Sequence, residues 1–385
     1  MVVEGRMEDR TLDYKRQLPD FSNQKQKRKF LGLVSSFANT VGGDIIYGVS
    51  EENEEIENGR IPGRPGEITG VQTDDPDGLI RQIKDIILNN IEPRIVPQVV
   101  ARCIPGFEPD PVIVIRVKRS ATGPHAVWMD KKALFYIRSS NSSDPMDVDE
   151  IRMSFTMKES IFDRIKIFRQ ERIDKILAGD TPVAVSNGAK LVLHILPVET
   201  FDPLSHRSIL EGSYSKWQDL IPSKSYGGAE KRVNFDGLLI NHLKSGDATT
   251  STYLQLFEDG KIELVDSSIA FESGNNKNFD RNFDESIFFN AKKYIDYLAT
   301  TSVTCPLVVM VSFLKVLNYC VLIPLDFGRR AGEPIDRENL LLPEVLVNSF
   351  DDNPEVFLRP TLDSFWRACG FERNLNYDIN GERVI

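Results

Sequence analysis

The chain has 385 residues, 41% of them hydrophobic and 27% charged, and a formal net charge of −10. That length allows two or three domains, the composition is that of an ordinary soluble globular protein, and no apolar run reaches the roughly 18 residues of a membrane span. The four cysteines, Cys103, Cys305, Cys320 and Cys369, are far apart and show no CxxC spacing, which argues against a zinc ribbon or a disulfide scaffold and for reduced thiols in a cytoplasmic protein.

Charged residues begin at Glu4, so no secretory leader is expected. Residues 1–180 carry 27 Lys+Arg against 29 Asp+Glu, so most of the acidic excess falls on the remainder. A polyanion partner suits the first part better than the second.

Residues 12–15 read as a strand with Leu12 and Tyr14 on one face and Asp13 and Lys15 on the other, because strand side chains alternate. A carboxylate beside an ammonium suits metal-assisted phosphodiester chemistry, and it equally suits a plain surface strand. Asp20 or Ser22 is the expected cap of a helix from about Gln24 to Thr40, with Phe30, Leu33, Val34, Phe37 and Val41 as its apolar face. Lys25, Lys27, Arg28 and Lys29 crowd its first turns. The helix dipole disfavours cations there, so an anionic partner is one explanation and a solvated helix start is another. Gly42-Gly43 stops the helix, Ile45 to Val49 form a buried strand, and Glu51 to Gly66 reads as a mobile loop.

Asp74 to Asn90 is a second amphipathic helix. Val96 to Cys103 and Pro111 to Lys118 are strands, and His125 to Met129 with Ala133 to Arg138 make a hairpin, followed by a polar loop at Ser139 to Ser143. Asp147 caps a helix running to about Ala178, with an apolar stripe of Ile161, Ile165, Phe168, Ile173 and Ile176. Arg164, Arg169 and Arg172 lie off that stripe and are expected to face a polyanion. The second half mixes strands at Lys190 to Leu196 and Leu307 to Phe313, a hairpin turning at Asp259-Gly260, and helices at Glu285 to Ala299 and Thr361 to Cys369. The expected organisation is a first domain at 1–146, a connecting helix at 147–180 and a second α+β domain at 181–385.

The run Glu8…Asp13-Tyr14-Lys15, then Phe37-Ala38-Asn39-Thr40-Val41-Gly42-Gly43, then Ile45-Ile46-Tyr47-Gly48-Val49, resembles the Schlafen-type AlbA domain. The segment Phe135-Tyr136-Ile137-Arg138 with its serine-rich loop is similar to the close of that domain. The resemblance covers roughly residues 4–145. It implies an α+β fold, a mixed sheet with packed helices. It also implies a three-carboxylate site of Glu8, Asp13 and Glu51 holding Mg2+ or Mn2+, with Lys15 assisting. Asp13 and Glu51 each differ by one methylene from the commoner family residue. The implied activity is endoribonuclease cleavage of structured RNA, tRNA above all, in antiphage defence or stress. ATP binding finds no support, since no G-x-x-x-x-G-K-[ST] loop is present.

Oxygen ligands suit such an ion, which would polarise a phosphate, and a lysine would offset the charge that develops. Lys25, Lys27, Arg28, Lys29, Arg138, Arg164, Arg169 and Arg172 are the expected contacts to RNA or DNA. Family members build their groove from two lobes and this chain shows one, so a homodimer is expected. The alternatives are a non-catalytic nucleic-acid-binding transcriptional regulator, and a sensor whose C-terminal domain binds a protein partner.

Overall fold

The computed structural model describes residues 6–52, 55–56, 59–60, 64–95, 99–107, 110–139, 142–202, 208–223, 228–242, 249–273, 276–280, 282–324, 329–378 and 383. The chain divides into two compact units, Met1–Phe162 and Asp163–Ile385. Both mix helices and sheets, so the α+β class holds for each. None of the described helices is long and apolar enough to cross a membrane.

The first unit opens with β1 (Leu12–Lys15), α1 (Gln24–Asn39), β2 (Gly43–Tyr47), and the short strands β3 (Val49–Glu52), β4 (Glu55–Ile56), β5 (Gly59–Arg60) and β6 (Arg64–Ile68). It continues with α2 (Pro76–Asn90), β7 (Ile91–Glu92), β8 (Val99–Ile104), β9 (Val112–Val117), β10 (Ala126–Met129), β11 (Lys132–Ser139) and β12 (Ser142–Pro145). One mixed sheet has the order β1-β2-β9-β8, with β1 parallel to β2 and the rest antiparallel. An antiparallel sheet has the order β12-β11-β10-β7. Helix α1 packs on β11 and supplies Phe30, Leu31, Val34 and Phe37 to a core shared with Ile45, Ile113, Ile115 and Val127. Leu12 and Tyr14 pack with Ile46 and Val49 in a separate cluster, as the strand alternation requires.

Two local expectations differ, while the expected hairpin forms. The cap of α1 is Asn23, whose side chain accepts the N–H groups of Lys25 and Gln26. Asp20 instead closes a turn on the N–H and hydroxyl of Ser22. The hairpin between β10 and β11 turns at Asp130 and Lys131, both at positive φ (53° and 61°), the backbone a two-residue hairpin demands. The segment expected as a mobile loop pairs β3 with β6, Glu51 standing opposite Pro65.

Helix α3 (Val148–Ala178) begins with a capping box, in which Glu150 N–H donates to Asp147 Oδ1 and Asp147 N–H to Glu150 Oε2. The division between the units falls within α3, at Phe162/Asp163, rather than leaving the helix as a separate connector.

The second unit is built on β13 (Lys190–Pro197), β14 (Glu230–Asn234), β15 (Gly237–Asn241), β16 (Thr252–Phe257), β17 (Ile262–Asp266), β20 (Leu307–Leu314), β23 (Asn339–Leu341) and β24 (Val345–Val347). They form an antiparallel sheet of order β14-β15-β16-β17-β13-β20-β23, with β24 also pairing β20. A smaller sheet joins β18 (Ala270–Ser273), β19 (Asn276–Asp280), β21 (Cys320–Pro324) and β22 (Arg329–Ala331). Leu193, Ile195, Leu254 and Leu264 pack into one core with Ile287 and Ile295 of α5 (Phe283–Ala299) and Leu358 and Phe365 of α6 (Pro354–Ala368). The helix α4 (Leu210–Ser213) is a single turn. Ile173 and Ile176 of α3 join Val192, Leu239, Tyr253 and Val265 in another cluster.

Candidate functional site

Asp13 alternates to the face opposite Leu12 and Tyr14, and there it is almost fully buried. Its Oδ2 lies 2.8 Å from Arg138 Nη1 and its Oδ1 2.5 Å from Lys15 Nζ. Glu8, also buried, accepts the Tyr14 N–H on Oε1 at 2.7 Å. The same oxygen lies 3.7 Å from Lys15 Nζ. The two carboxylates read from the sequence therefore do converge, and they converge on the ammonium of Lys15. Strand β1 is the edge of its sheet, so Glu8 also satisfies an edge N–H that would otherwise go to water. Burial, and then the Asp13 charge, push the Tyr47 phenol well above its ordinary range. Tyr14 is raised as well, chiefly by burial.

Arg138 carries 1% of its possible exposure. Its guanidinium lies 4.5 Å over the ring of Phe37, and Nη2 donates to the carbonyls of Asp9 (3.2 Å) and Leu12 (3.4 Å). This corrects its expected role. Arg138 holds Asp13 from inside the unit and offers no surface contact to phosphate.

The Phe37–Gly43 motif explains how Arg138 reaches that place. Thr40 Oγ1 accepts the Arg138 N–H at 3.0 Å and donates to Ser36 O. Asn39 Nδ2 donates to the carbonyls of His125 (3.0 Å) and Tyr136 (2.9 Å), while its Oδ1 accepts the His125 N–H at 2.7 Å. Gly43 lets β2 approach β1, since a Cβ there would meet the Phe37 ring and lie 2.5 Å from Thr11 O. Gly42 sits at φ +75°, and a Cβ there would lie 2.7 Å from the backbone nitrogen of Arg119. Phe37, Asn39 and Thr40 thus fix β11 against α1 and so position the Arg138–Asp13 pair. The sequence carried their signal as a motif, without showing what they hold.

Above the pair opens a groove of about 830 Å³. Lys25, Arg28 and Lys29 line one side, because residues three and four apart share a helix face. Lys15 lines it too, as does the buried Arg138–Asp13 pair, so besides that pair the lining holds four cations and no carboxylate. Arg28 pairs with Asp130 at 2.5 Å. Lys25 and Lys29 make no ion pair among the described residues. Lys27 does not line the groove.

Arg164, Arg169 and Arg172 of α3 belong to the second unit. Arg169 is buried in the second unit, donating to Val311 O (2.9 Å), Leu342 O (3.0 Å) and Ser312 Oγ (2.9 Å). Arg172 is buried against Glu263, Nε to Oε2 and Nη2 to Oε1, both 2.8 Å. The expectation that these two meet phosphate is corrected: their polar period on α3 marks a buried ionic network. Arg164 is exposed and donates to Phe201 O at 3.4 Å.

The side chain of Glu51 lies outside the described residues. Among those described, no three His, Cys, Asp or Glu side chains gather as a metal site. Both oxygens of Asp13 face cations and Glu8 Oε1 is taken by a backbone N–H. That donor set does not fit a divalent ion, which would have to take the place of the Lys15 ammonium.

A basic groove on an α+β unit, over a buried acid–base cluster, defines a candidate polyanion-binding domain. Residues 8–147 match the family model described as Schlafen, AlbA_2, so most of the first unit is similar to that domain. The family is associated with nucleic-acid binding. Among solved structures, the DIP2311 protein from Corynebacterium diphtheriae is similar at 23% identity over 36% of this chain and 22% of that one, with a TM-score of 0.23. The N-terminal domain of a RecG-related protein, an ATP-dependent DNA helicase by its description, from Nitrosomonas europaea is similar at 19% identity. That match covers 36% of this chain and 82% of the other, with a TM-score of 0.24. No curated protein matches the chain.

Proposed function

We propose that the first unit binds a nucleic-acid backbone, RNA in preference to DNA, along the groove over Asp13 and Arg138. The observation that carries this is that Lys25 and Lys29, which make no ion pair among the described residues, stand four residues apart at the start of α1 and on the groove. Like charges at that spacing repel, and they stand at the helix end that repels cations. A phosphate between them reverses both costs. The test is RNA affinity of the full chain by fluorescence anisotropy across a salt series. Replacing both lysines (Lys25→Glu with Lys29→Glu) should weaken binding and flatten the salt slope by about two counterions. An affinity indifferent to salt, or a variant that binds as tightly, defeats the reading.

A second reading is cleavage of that RNA, favoured by the convergence of Glu8 and Asp13 on Lys15. It extends to an endoribonuclease acting on tRNA in antiphage defence or stress, and because the described donor set does not fit a divalent ion, cleavage is compared with and without one. Incubation with total tRNA, with and without Mg2+ or Mn2+, tests it, with Glu8→Gln as the control. Glutamine keeps an acceptor for the Tyr14 N–H and removes the charge, so the fold is retained while cleavage should stop. If the wild type leaves tRNA intact, the unit is a binding module in a regulator. A second copy completing the groove belongs to the same proposal, and the solution mass of the RNA complex tests it. The acidic second unit is proposed as the docking site for a protein partner, which a pull-down with residues 163–385 deleted checks.

A further inference from the structure

The lining of the groove combines cations, apolar side chains and neutral polar groups. The cations Lys25, Arg28 and Lys29 line the first two turns of α1, and the next turn of the same face is Gly32 and Leu33. Gly32 has no side chain, and the ring of Tyr136 fills the space beside it, within 3.1 Å of where a Cβ would lie. Leu18 and Pro19, both half-buried, also line the cavity. Asp13, Arg138, Ser142 and Ser143 line it too, and of the Tyr136 side chain only an edge is exposed. Cations, apolar side chains and polar groups on one lining are more than a duplex backbone needs. Paired bases stay stacked inside the helix and would leave the interior empty. The volume falls in the range of pockets that enclose a small ligand.

Resting on the nucleic-acid reading, we infer that the groove receives one unpaired nucleotide of the bound strand, its base against Leu18, Pro19 and Tyr136 and its phosphate on Lys25 and Lys29. Unstacked bases offer an apolar face and a polar edge, the two surfaces this cavity presents. Extrusion is easiest where a nucleotide is already unpaired. The substrate class is therefore RNA with a bulge, loop or overhang, in preference to a continuous duplex.

The experiment compares three RNA hairpins by anisotropy with the full chain. One has a fully paired stem, one carries a single-nucleotide bulge, and one carries an abasic residue at the bulge. The bulged hairpin should bind about five- to a hundredfold tighter than the paired one, the range that stacking one base supplies. The abasic hairpin should return to the paired level. Equal affinity for all three overturns the inference and leaves backbone binding intact. Equal gains for the bulged and abasic hairpins also overturn it, because bending rather than the base would then be read. If none binds, the nucleic-acid reading falls as well.

Discussion

Replacing Asp13 with alanine should unfold the first unit locally before it changes any chemistry. Asp13 Oδ2 and Arg138 Nη1 are 2.8 Å apart, with side chains 4% and 1% exposed. After Asp13→Ala, the guanidinium keeps two carbonyl acceptors and the Phe37 face but loses its buried counter-charge. Breaking a buried pair by removing one partner costs about 3–5 kcal/mol, against a total of about 5–15 kcal/mol for a domain. Lys15 is a third exposed, so its share is discounted for solvent screening. Removing both charges (Asp13→Leu with Arg138→Met) should recover most of the loss, because apolar replacement of a buried pair is often neutral. Native-state hydrogen exchange on peptides covering Leu12–Lys15 and Lys132–Ser139 reads this directly. The single variant should exchange about a hundred- to several-thousandfold faster, at about 1.4 kcal/mol per decade. Acceleration below tenfold, or a double variant as labile as the single one, refutes the assignment of Asp13 and Arg138 as a buried pair. Where the single variant is that labile, lost activity in Asp13→Ala is no evidence about catalysis, which is why Glu8→Gln is the better probe.

Gly43→Ala should destabilise the first unit by about 1–3 kcal/mol, since the added methyl meets Phe37 and Thr11 in a packed interior; an unchanged melting temperature would contradict that close approach. Asn39→Ala removes the side-chain acceptor of the His125 N–H and the donor to the Tyr136 carbonyl, while the His125 carbonyl keeps the Ser35 hydroxyl, and should cost about 1–3 kcal/mol in urea unfolding. In the second unit, burial alone would raise Glu263, but hydrogen bonds from Arg172 and His194 outweigh it and lower the carboxyl to about 2. A depressed carboxyl contributes stability that is present above its ordinary value near 4.5 and lost as pH falls through the folded value. That stability, about 3 kcal/mol by linkage, should disappear between about pH 4.5 and pH 2. A Trp128→Phe protein, whose remaining Trp217 and Trp366 lie in the second unit, reports it by fluorescence melts. A melting temperature flat across that window would rule it out.

Local pattern carried much of the fold. Strand β1, helix α1, the β10–β11 hairpin and β13 stand where alternation, helical spacing and turn residues put them. What the sequence could not show is which polar residues go inside. Arg169 and Arg172 look like a solvated face because a helix period does not separate a charge facing water from one facing a buried Glu263 or an open carbonyl. Arg138 failed in the same way, since its partner lies at the far end of the unit's sequence. Glu8 and Asp13 were legible as neighbours because the family resemblance joins them and only five residues separate them, Glu8 before β1 and Asp13 within it. Asn39 and Thr40 were legible only as letters of a motif, because their partners, His125, Tyr136 and Arg138, are distant in sequence and are found only by folding.

The contact between Arg138 Nη2 and Leu12 O spans 126 residues, and it ties the first strand of the unit to one of its last. While the chain grows, Asp13 has no counter-ion on β11 until almost the whole unit has been made. Strand β1 can therefore be sealed only late, and long-range pairing of this kind slows folding. A fragment ending before Arg138 would keep most of its apolar core and still leave its first strand unlocked, so the unit should be expressed through Pro145 or not at all.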